Sequence, residues 1–593
     1  MSVHDHHGMG GYRGRPQATF GGAVSAWGRW VASLVWNLEH SFERARADAR
    51  PEEDTRVRIF LIMAVFCVVF AGLALGAAHA ALLTPRGGAG AGFNPGALTR
   101  ADLVDRNGQL LATNITHYGL YIDPREVWDI PAAKAQLRRA LPRISAKRLD
   151  KVMSGERRLI VLTGLTPTER RAVHGLALGG VTFEPEDRRV YPLGTSAVHL
   201  IGRSDTGGEG VAGAELAFNQ EIRAAGVAGE DFPLSIDLRV QGVVENELAI
   251  AAEEHKVKGA VAVVADVQTG EILAMASWPT YDANRRNAAP EEATLNRVVS
   301  AHYEMGSVFK SFTVAAGIDT GRADMNTLFD ASQALQIGKR RITDFHATNK
   351  VLTLEEVYLH SSNIGTSRLA VEMGGDVMRD YFRRLGLLDA APIELKESAA
   401  PPKVRKWDDS TLASLSFGYG VMVTPIQYVA AYGALSNGGR YVAPTLRKGG
   451  RPNAQTHQVV SPETSAVMLD LMRRNVTRGS GRFADAPGLR MGGKTGSANK
   501  LVNGRYNPAV AVGSFAGVFP ADGPVDAKRY TVFVLMDEPG VYPRTGGYVA
   551  APAVGRIANR IAGFLGVERK ADRWSTALGE KIPEFQDVEG DGR

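Results

Sequence analysis

The chain has 593 residues, 44% hydrophobic and 22% charged, which bounds it to roughly two to four globular domains at about 150 residues each and excludes a disordered or fibrous protein. A single cysteine, Cys67, excludes an intramolecular disulfide framework and a cysteine-built zinc site. The balance of 69 basic against 63 acidic residues, net +6, is too dilute for a nucleic-acid surface; it permits an anionic partner such as a membrane or cell wall without showing one.

Residues 1–58 read as a tail. Trp27, Val31, Leu34, Leu38 and Phe42 recur at helical spacing and predict one apolar face, suited to the membrane interface, to a partner, or to a partly ordered linker. His4, His6 and His7 read as a flexible polar start rather than a metal site. From Ile59 through Ala78 no charged residue occurs, and twenty residues at about 1.5 Å each span a hydrocarbon core of about 30 Å. Ala78-His79-Ala80 resembles a cleavage site, but the tail before it is far longer than the short basic start of a signal peptide. A retained anchor over 59–83 is therefore expected. Arg44, Arg46, Arg50, Arg56 and Arg58 precede it and only Arg86 and Arg100 follow closely, which places the N-terminus in the cytoplasm and the remainder outside, in the periplasm of a bacterium. Ala64, Gly72 and Gly76 would permit close helix packing in the membrane.

Pro85 to Gly96 is glycine-rich and reads as a linker. A mixed segment follows within 84–235, with short apolar runs and basic helices such as Ala132–Ala140. Over 236–570 the pattern changes: a long helix through Val243–Ala252, then two apolar runs split at Gln268-Thr269-Gly270, which predict a β-hairpin. SFAGVFPA and YTVFVLMDEP predict two further buried strands, Val554–Leu565 a closing helix, and 571–593 a polar tail. Helices bracketing runs of strands argue for an α+β domain.

Three short patterns carry chemistry. Ser307-Val308-Phe309-Lys310 places a hydroxyl and an amine on one helical face, where a neutral lysine can take the serine's proton. Ser361-Ser362-Asn363 alone reads as a helix cap before Ile364, and Lys494-Thr495-Gly496 alone as a hairpin edge. Ser497-Ala498-Asn499-Lys500 is a decoy that fits the same patterns, but only Ser307 is flanked by the apolar residues of a buried helix. The strength lies in all three patterns occurring in this order.

Those elements resemble the penicillin-recognising serine acyl-transferases. ADLVDRNGQLLATN (101–114), YPLGTSAVHLIG (191–202), GEGVAGAELAFN (208–219), GEILAMASWPTYDAN (270–284), SSNIGTSRLA (361–370), FGYGVMVTPIQ (417–427) and MGGKTGSANK (491–500) narrow the resemblance to the class B, monofunctional penicillin-binding proteins, and within them to the division-specific transpeptidases. The likeness runs from about residue 57 to 566. It departs at Met305, where many relatives have proline, and at Ser497, where threonine is common. The resemblance implies a bitopic α+β protein. A mixed α/β pedestal of the dimerisation type (84–235) would carry a serine-β-lactamase-like transpeptidase domain (236–570). Ser307 would be the acylated nucleophile and Lys310 its base. Ser361 would relay a proton to the leaving D-alanine, and Asn363 would orient Lys310 and the substrate amide. Lys494 and Thr495 would hold the terminal carboxylate, Gly496 would let the substrate lie along the strand, and the N–H groups of Ser307 and Ser497 would form the oxyanion hole. The implied partners are stem peptides, as D-Ala-D-Ala donor and amine acceptor, β-lactams, the membrane, a polytopic glycan-strand polymerase and other division proteins. No cofactor, metal or nucleic acid is implied.

Gly208 to Gly213 fits the Gly-x-Gly-x-x-Gly fingerprint, yet no long strand precedes it and it coincides with a segment shared across the family. An elongation-specific transpeptidase shares all three motifs. A carboxypeptidase or β-lactamase would let water deacylate the serine. A β-lactam sensor or inactive scaffold is the reading from a different class; the short tail is unsuited to a signalling enzyme, and a scaffold need not keep Ser307, Lys310, Ser361 and Lys494 together.

Overall fold

The computed structural model describes residues 33, 36, 62–74, 100–451 and 456–570, and the chain divides into two units, Met1–Gly92 and Phe93–Arg593. In the first, residues 62–74 are helical and include the exposed Cys67. No helix among the described residues is long and apolar enough to cross a membrane. The rest of the expected anchor, the apolar face Trp27–Phe42 with the three histidines, the linker Pro85–Gly96 and the tail 571–593 lie outside the described residues.

The second unit begins with a small sheet: β1 (Leu103–Val104), β2 (Leu110–Ile122), β3 (Leu159–Leu165), β4 (Val181–Val190) and β5 (Phe232–Pro233). The long β2 pairs antiparallel with β1, β3 and β4, while β1 and β5 run parallel. Helices α1 (Ile130–Ala140), α2 (Ala146–Met153) and α3 (Pro167–His174) each start where a side-chain oxygen of Asp129, Ser145 or Thr166 accepts an orphan backbone N–H. Their apolar faces bury Leu137, Leu149, Val152 and Val173 against Leu120, Ile122 and Leu165 of the sheet.

The larger sheet follows α4 (Leu238–Glu254) and is built from β6 (Gly259–Asp266), β7 (Ile272–Trp278), β8 (Gly492–Val502), β9 (Arg505–Phe519) and β10 (Tyr530–Asp537). Its order is β8-β9-β10-β6-β7, antiparallel throughout, with β6 and β7 forming the predicted hairpin. Because side chains alternate across a strand, successive residues feed two separate cores. Ala260, Ala262, Val264, Phe515, Val532 and Val534 join the core that contains α4 and α9 (Ala551–Ile561). Val261, Val263, Ala516, Val518, Phe533 and Leu535 join the core that contains α5 (Lys310–Asp319), α6 (Asn363–Met373), α7 (Pro425–Ala434) and α8 (Pro462–Arg478). Phe312 of α5, Tyr428 of α7 and Phe533 of β10 pack in succession as tilted rings with centroids 5.2 and 5.1 Å apart, so the helix that continues from Ser307 is wedged against the sheet. β8 is left as an edge strand.

The two layers meet through backbone as well as charge. Ser235 N–H donates to the Leu446 carbonyl at 2.8 Å, Leu238 N–H to Asp105 at 3.0 Å, and Arg447 pairs with Glu221 at 2.7 Å. Gly208–Gly213 takes part through Gly213, whose N–H donates to Glu397 at 2.6 Å, and is itself tightly folded. A Cβ at Gly210 would lie 1.9 Å from the Glu215 carbonyl oxygen, so the glycine serves a chain-on-chain approach.

Glu215 sits at the centre of a buried ion cluster. It pairs with Arg100, and with Arg189 at 2.7 Å, all three side chains being at most 2% exposed. Arg189 also donates to the Ala101 carbonyl at 2.8 Å and Arg100 to the Gly208 carbonyl at 2.8 Å, so the cluster ties β4 to the residues just before β1 and to the 208–219 segment. Removing the acid leaves two guanidinium groups buried without their counter-ion. Glu215→Ala is expected to destabilise this layer by about 3–5 kcal/mol, read as a lower urea midpoint for its unfolding transition.

Candidate active site

Ser307 does not lie on the α-helix proper. It stands, half-buried, in a 3-10 turn Gly306–Phe309 that runs into α5 at Lys310. At three residues per turn, positions 307 and 310 eclipse more closely than they would at 3.6, so the serine–lysine spacing suits this turn better than the helix expected. The turn is held tightly to the sheet edge. Gly306 has φ +63°, and a Cβ there would lie 2.2 Å from the Ser497 carbonyl oxygen. The backbone bearing Ser307 therefore touches the backbone of β8, and only glycine permits it. Met305, the departure from proline, is fully buried, and its carbonyl accepts from Ser514 Oγ at 3.4 Å.

Ser361 sits between two lysines. Lys310 Nζ donates to its carbonyl and, at 3.0 Å, to its hydroxyl; Lys494 Nζ, from β8, donates to the same hydroxyl at 3.1 Å. The serine achieves this with φ +58°, a left-handed conformation that costs a non-glycine residue on the order of 1 kcal/mol and turns its carbonyl and hydroxyl to one side. Ser362, not Ser361, caps α6: its hydroxyl accepts from Gly365 N–H at 3.0 Å and donates to Asp344 at 2.7 Å, while Asp344 also accepts from Ile364 N–H at 2.9 Å.

Lys310 and Lys494 are both fully buried. Burial, reinforced by the charge of Lys494 and opposed by that of Asp344, pushes Lys310 well below the ordinary lysine value. Burial alone brings Lys494 down to about 7. Lys310 carries both penalties and gives up its proton first. A neutral amine has two N–H bonds and one lone pair. Both N–H bonds of Lys310 are used on Ser361, which leaves the lone pair for a proton. Among the described residues no hydrogen bond yet joins Lys310 to Ser307. The decoy is disarmed by the opposite arrangement: Lys500 is paired with Asp537 at 2.8 Å and Glu538 at 2.7 Å, and although burial lowers it, those hydrogen bonds hold it above the ordinary value.

The remaining motif residues divide. Thr495, nearly buried, shares a hydrogen bond of 2.9 Å with Ser480 Oγ and faces Lys494 Nζ at 3.5 Å. Gly496 is buried in β8, and the Ser497 hydroxyl accepts from Gly546 N–H at 3.0 Å. The Asn363 amide donates to the Thr343 carbonyl at 2.9 Å. Ser480, Asp344 and Tyr358, whose ring lies 5.7 Å from Lys494 Nζ, complete the surroundings. Nothing in their local sequence marks them, because each reaches the site only through tertiary folding.

A general base acts only when deprotonated, so if Lys310 serves Ser307 in the role that the resemblance implies, acylation of Ser307 by a penicillin is expected to rise with pH along the titration of Lys310, reaching its plateau well below 10.5. Lys494→Gln removes the like charge, lets Lys310 keep its proton to higher pH, and moves the rising limb in the alkaline direction. Stopped-flow acylation across pH checks this; a limb that stays in place contradicts the coupling.

The model of the penicillin binding protein transpeptidase domain family matches residues 260–561, and that of the penicillin-binding protein dimerisation domain matches residues 97–209. A probable peptidoglycan D,D-transpeptidase FtsI of Caulobacter vibrioides is 52% identical over 93% of this chain and 96% of its own length. The peptidoglycan D,D-transpeptidase FtsI of Escherichia coli is 30% identical over 80% of this chain and 85% of its own, and the stage V sporulation protein D of Bacillus subtilis 28% over 80% and 79%. With a dimerisation domain preceding a transpeptidase domain, the chain belongs to the class B penicillin-binding proteins.

Proposed function

We propose that this chain is a septal peptidoglycan D,D-transpeptidase that works through an acyl-enzyme on Ser307. The observation that carries the reading is the convergence of two buried lysines on Ser361 beside a serine held against the free edge of β8. A stem peptide adds to that edge as a further strand. Lys494 and Thr495 receive its terminal carboxylate, and Asn363, tied to Thr343, addresses the substrate amide.

Ser307 Oγ attacks the carbonyl between the two D-alanines while neutral Lys310 takes its proton. The N–H groups of Ser307 and Ser497 receive the developing oxyanion, an interaction worth about 3 kcal/mol per donor. The Ser361 oxygen accepts from both lysines, so its own hydrogen is free to pass to the leaving amine as the C–N bond breaks, and Lys310 returns the proton to Ser361. The released D-alanine departs. The amine of a second stem peptide attacks the ester, gives a proton back through the same groups to Ser307, and leaves the cross-link. A β-lactam acylates Ser307 in the same way but keeps its leaving group tethered, so the enzyme stays blocked.

The uncharged run Ile59–Ala78 and the arginines before it support a single-pass protein of the inner membrane, with its anchor at 59–83, a cytoplasmic tail and a periplasmic catalytic domain. The pedestal over 84–235 and the anchor would dock the glycan-strand polymerase and other division proteins. The name of the 52% identical relative supports division over elongation.

Labelling the full chain in detergent with a fluorescent penicillin tests the chemistry. A covalent band is expected in the wild type and is expected to be lost in Ser307→Ala. No band in folded wild-type protein points to a scaffold, and a band that survives in the variant points to another serine. Exchanging residues 59–83 for an unrelated anchor is expected to leave labelling intact and to abolish septal recruitment; unchanged recruitment contradicts the docking role.

A further inference from the structure

Glu304 precedes Ser307 by three residues and takes no part in the proton transfers above. It is half-buried, and burial raises its carboxyl above the ordinary value. One oxygen, Oε1, accepts two hydrogen bonds from two other segments: the Gly420 N–H at 2.6 Å and the Tyr506 hydroxyl at 3.0 Å. Tyr303 exchanges backbone hydrogen bonds of 3.0 and 3.1 Å with Val423, so the chain leading into the Ser307 turn is already laced to the 420–423 loop. On the other side, the Tyr419 hydroxyl accepts from the Asn499 N–H of β8 at 2.8 Å, and the Tyr419 ring meets Tyr506 edge-on at 5.0 Å.

The hairpin that Tyr506 belongs to needs such a tie. β8 and β9 pair regularly from Gly492↔Val518 to Asn499↔Ala511, and then the register shifts to Lys500↔Asn507, leaving 508–510 with no opposite residue in the ladder. Beyond this bulge the tip is short and exposed, with Leu501 54% and Tyr506 44% accessible. Among the described residues the outer hairpin is tied by Lys500 to Asp537 and Glu538, by Tyr506 to Glu304 and edge-on to Tyr419, and at its bulge by Arg544, which donates to the Ala509 carbonyl at 2.8 Å. Glu304 thus joins the approach to the Ser307 turn, the loop that carries Tyr419, and Tyr506 of β9 near the tip of the β8–β9 hairpin.

We propose that Glu304 is a positioning residue for acylation: by joining Tyr506 and Gly420 to the chain that carries Ser307, it fixes the spacing between the Ser307 turn and β8. This rests on the acyl-enzyme reading above. The Ser307 hydroxyl and the Ser497 N–H must address the same carbonyl group, one from the turn and one from the strand. Displacement of about 1 Å at such a pair costs on the order of 100-fold in rate. Release of the tie therefore falls on the acylation step more than on initial binding.

The test uses the full chain in detergent, stopped-flow acylation by a fluorescent penicillin with saturation to separate the acylation rate from Kd, and hydrogen exchange over residues 499–507. Glu304→Ala is expected to lower the acylation rate at least about 10-fold with Kd within about threefold, and to speed exchange in 499–507. Glu304→Gln, whose amide oxygen accepts the same two bonds, is expected to restore both to within about threefold of wild type. Tyr506→Phe, which deletes one hydroxyl, gives an intermediate loss and keeps the test decisive should Glu304→Ala not fold. Wild-type acylation kinetics in Glu304→Ala, or a Glu304→Gln protein no better than the alanine variant, overturns the proposal. If the wild type is not acylated at all, the transpeptidase reading fails; the exchange arm then decides the tie by itself, and unchanged exchange in Glu304→Ala overturns it.

Discussion

Two lysine side chains from distant parts of the chain, both withdrawn from solvent, share one hydroxyl, and most of the architecture around Ser361 serves to hold them there. Isolated burial of an ammonium group costs several kcal/mol, so a pair of them is tolerable only if one gives up its proton. The asymmetry decides which. Lys310 is penalised by burial and by its neighbour, Lys494 by burial alone, and the nearby carboxylate of Asp344 tempers the first without pairing with it. Until Lys494 itself titrates near 7, the pair holds a neutral amine beside an ammonium, the state that the proposed roles of Lys310 as base and Lys494 as carboxylate binder require.

The sheet supplies the means. α5 is pinned through Phe312, Tyr428 and Phe533, which sets Lys310 in depth, and Lys494 arrives on the edge strand at the same level. Ser361 then has to turn backbone and side chain toward both, and its left-handed conformation is the local consequence. At the surface the same edge strand passes within backbone contact of Gly306, a main-chain approach of the Ser307 turn to β8 that the proposed Glu304 tie braces from its outer side.

Much of this was legible in the residues. The three motifs name side chains whose chemistry is defined by type, and the short continuous apolar runs of β6, β7, β9 and β10 are those of strands buried on both faces. The helices Val243–Ala252 and Ala132–Ala140 lie within α4 and α1, while the closing helix begins at Ala551, three residues earlier than expected, and ends at Ile561. What was not legible depends on tertiary approach. The 3-10 turn at Ser307 follows from packing against Ser497. The positive φ of Ser361 has no local glycine or asparagine to announce it. The bond from Asn363 to Thr343 joins segments 20 residues apart. Glu304 and Ser480 carry no motif, and their partners lie in other segments of the chain.

The central claim is that Lys310 is neutral at working pH because Lys494 and burial make it so. Nitrogen-15 NMR of the lysine Nζ groups, assigned with Lys310→Arg and Lys494→Arg proteins, reads this without reference to turnover. Lys310 is expected to pass from ammonium to amine shift at a lower pH than Lys494, whose own titration falls near 7. Two ammonium resonances that persist to pH 10 would contradict it.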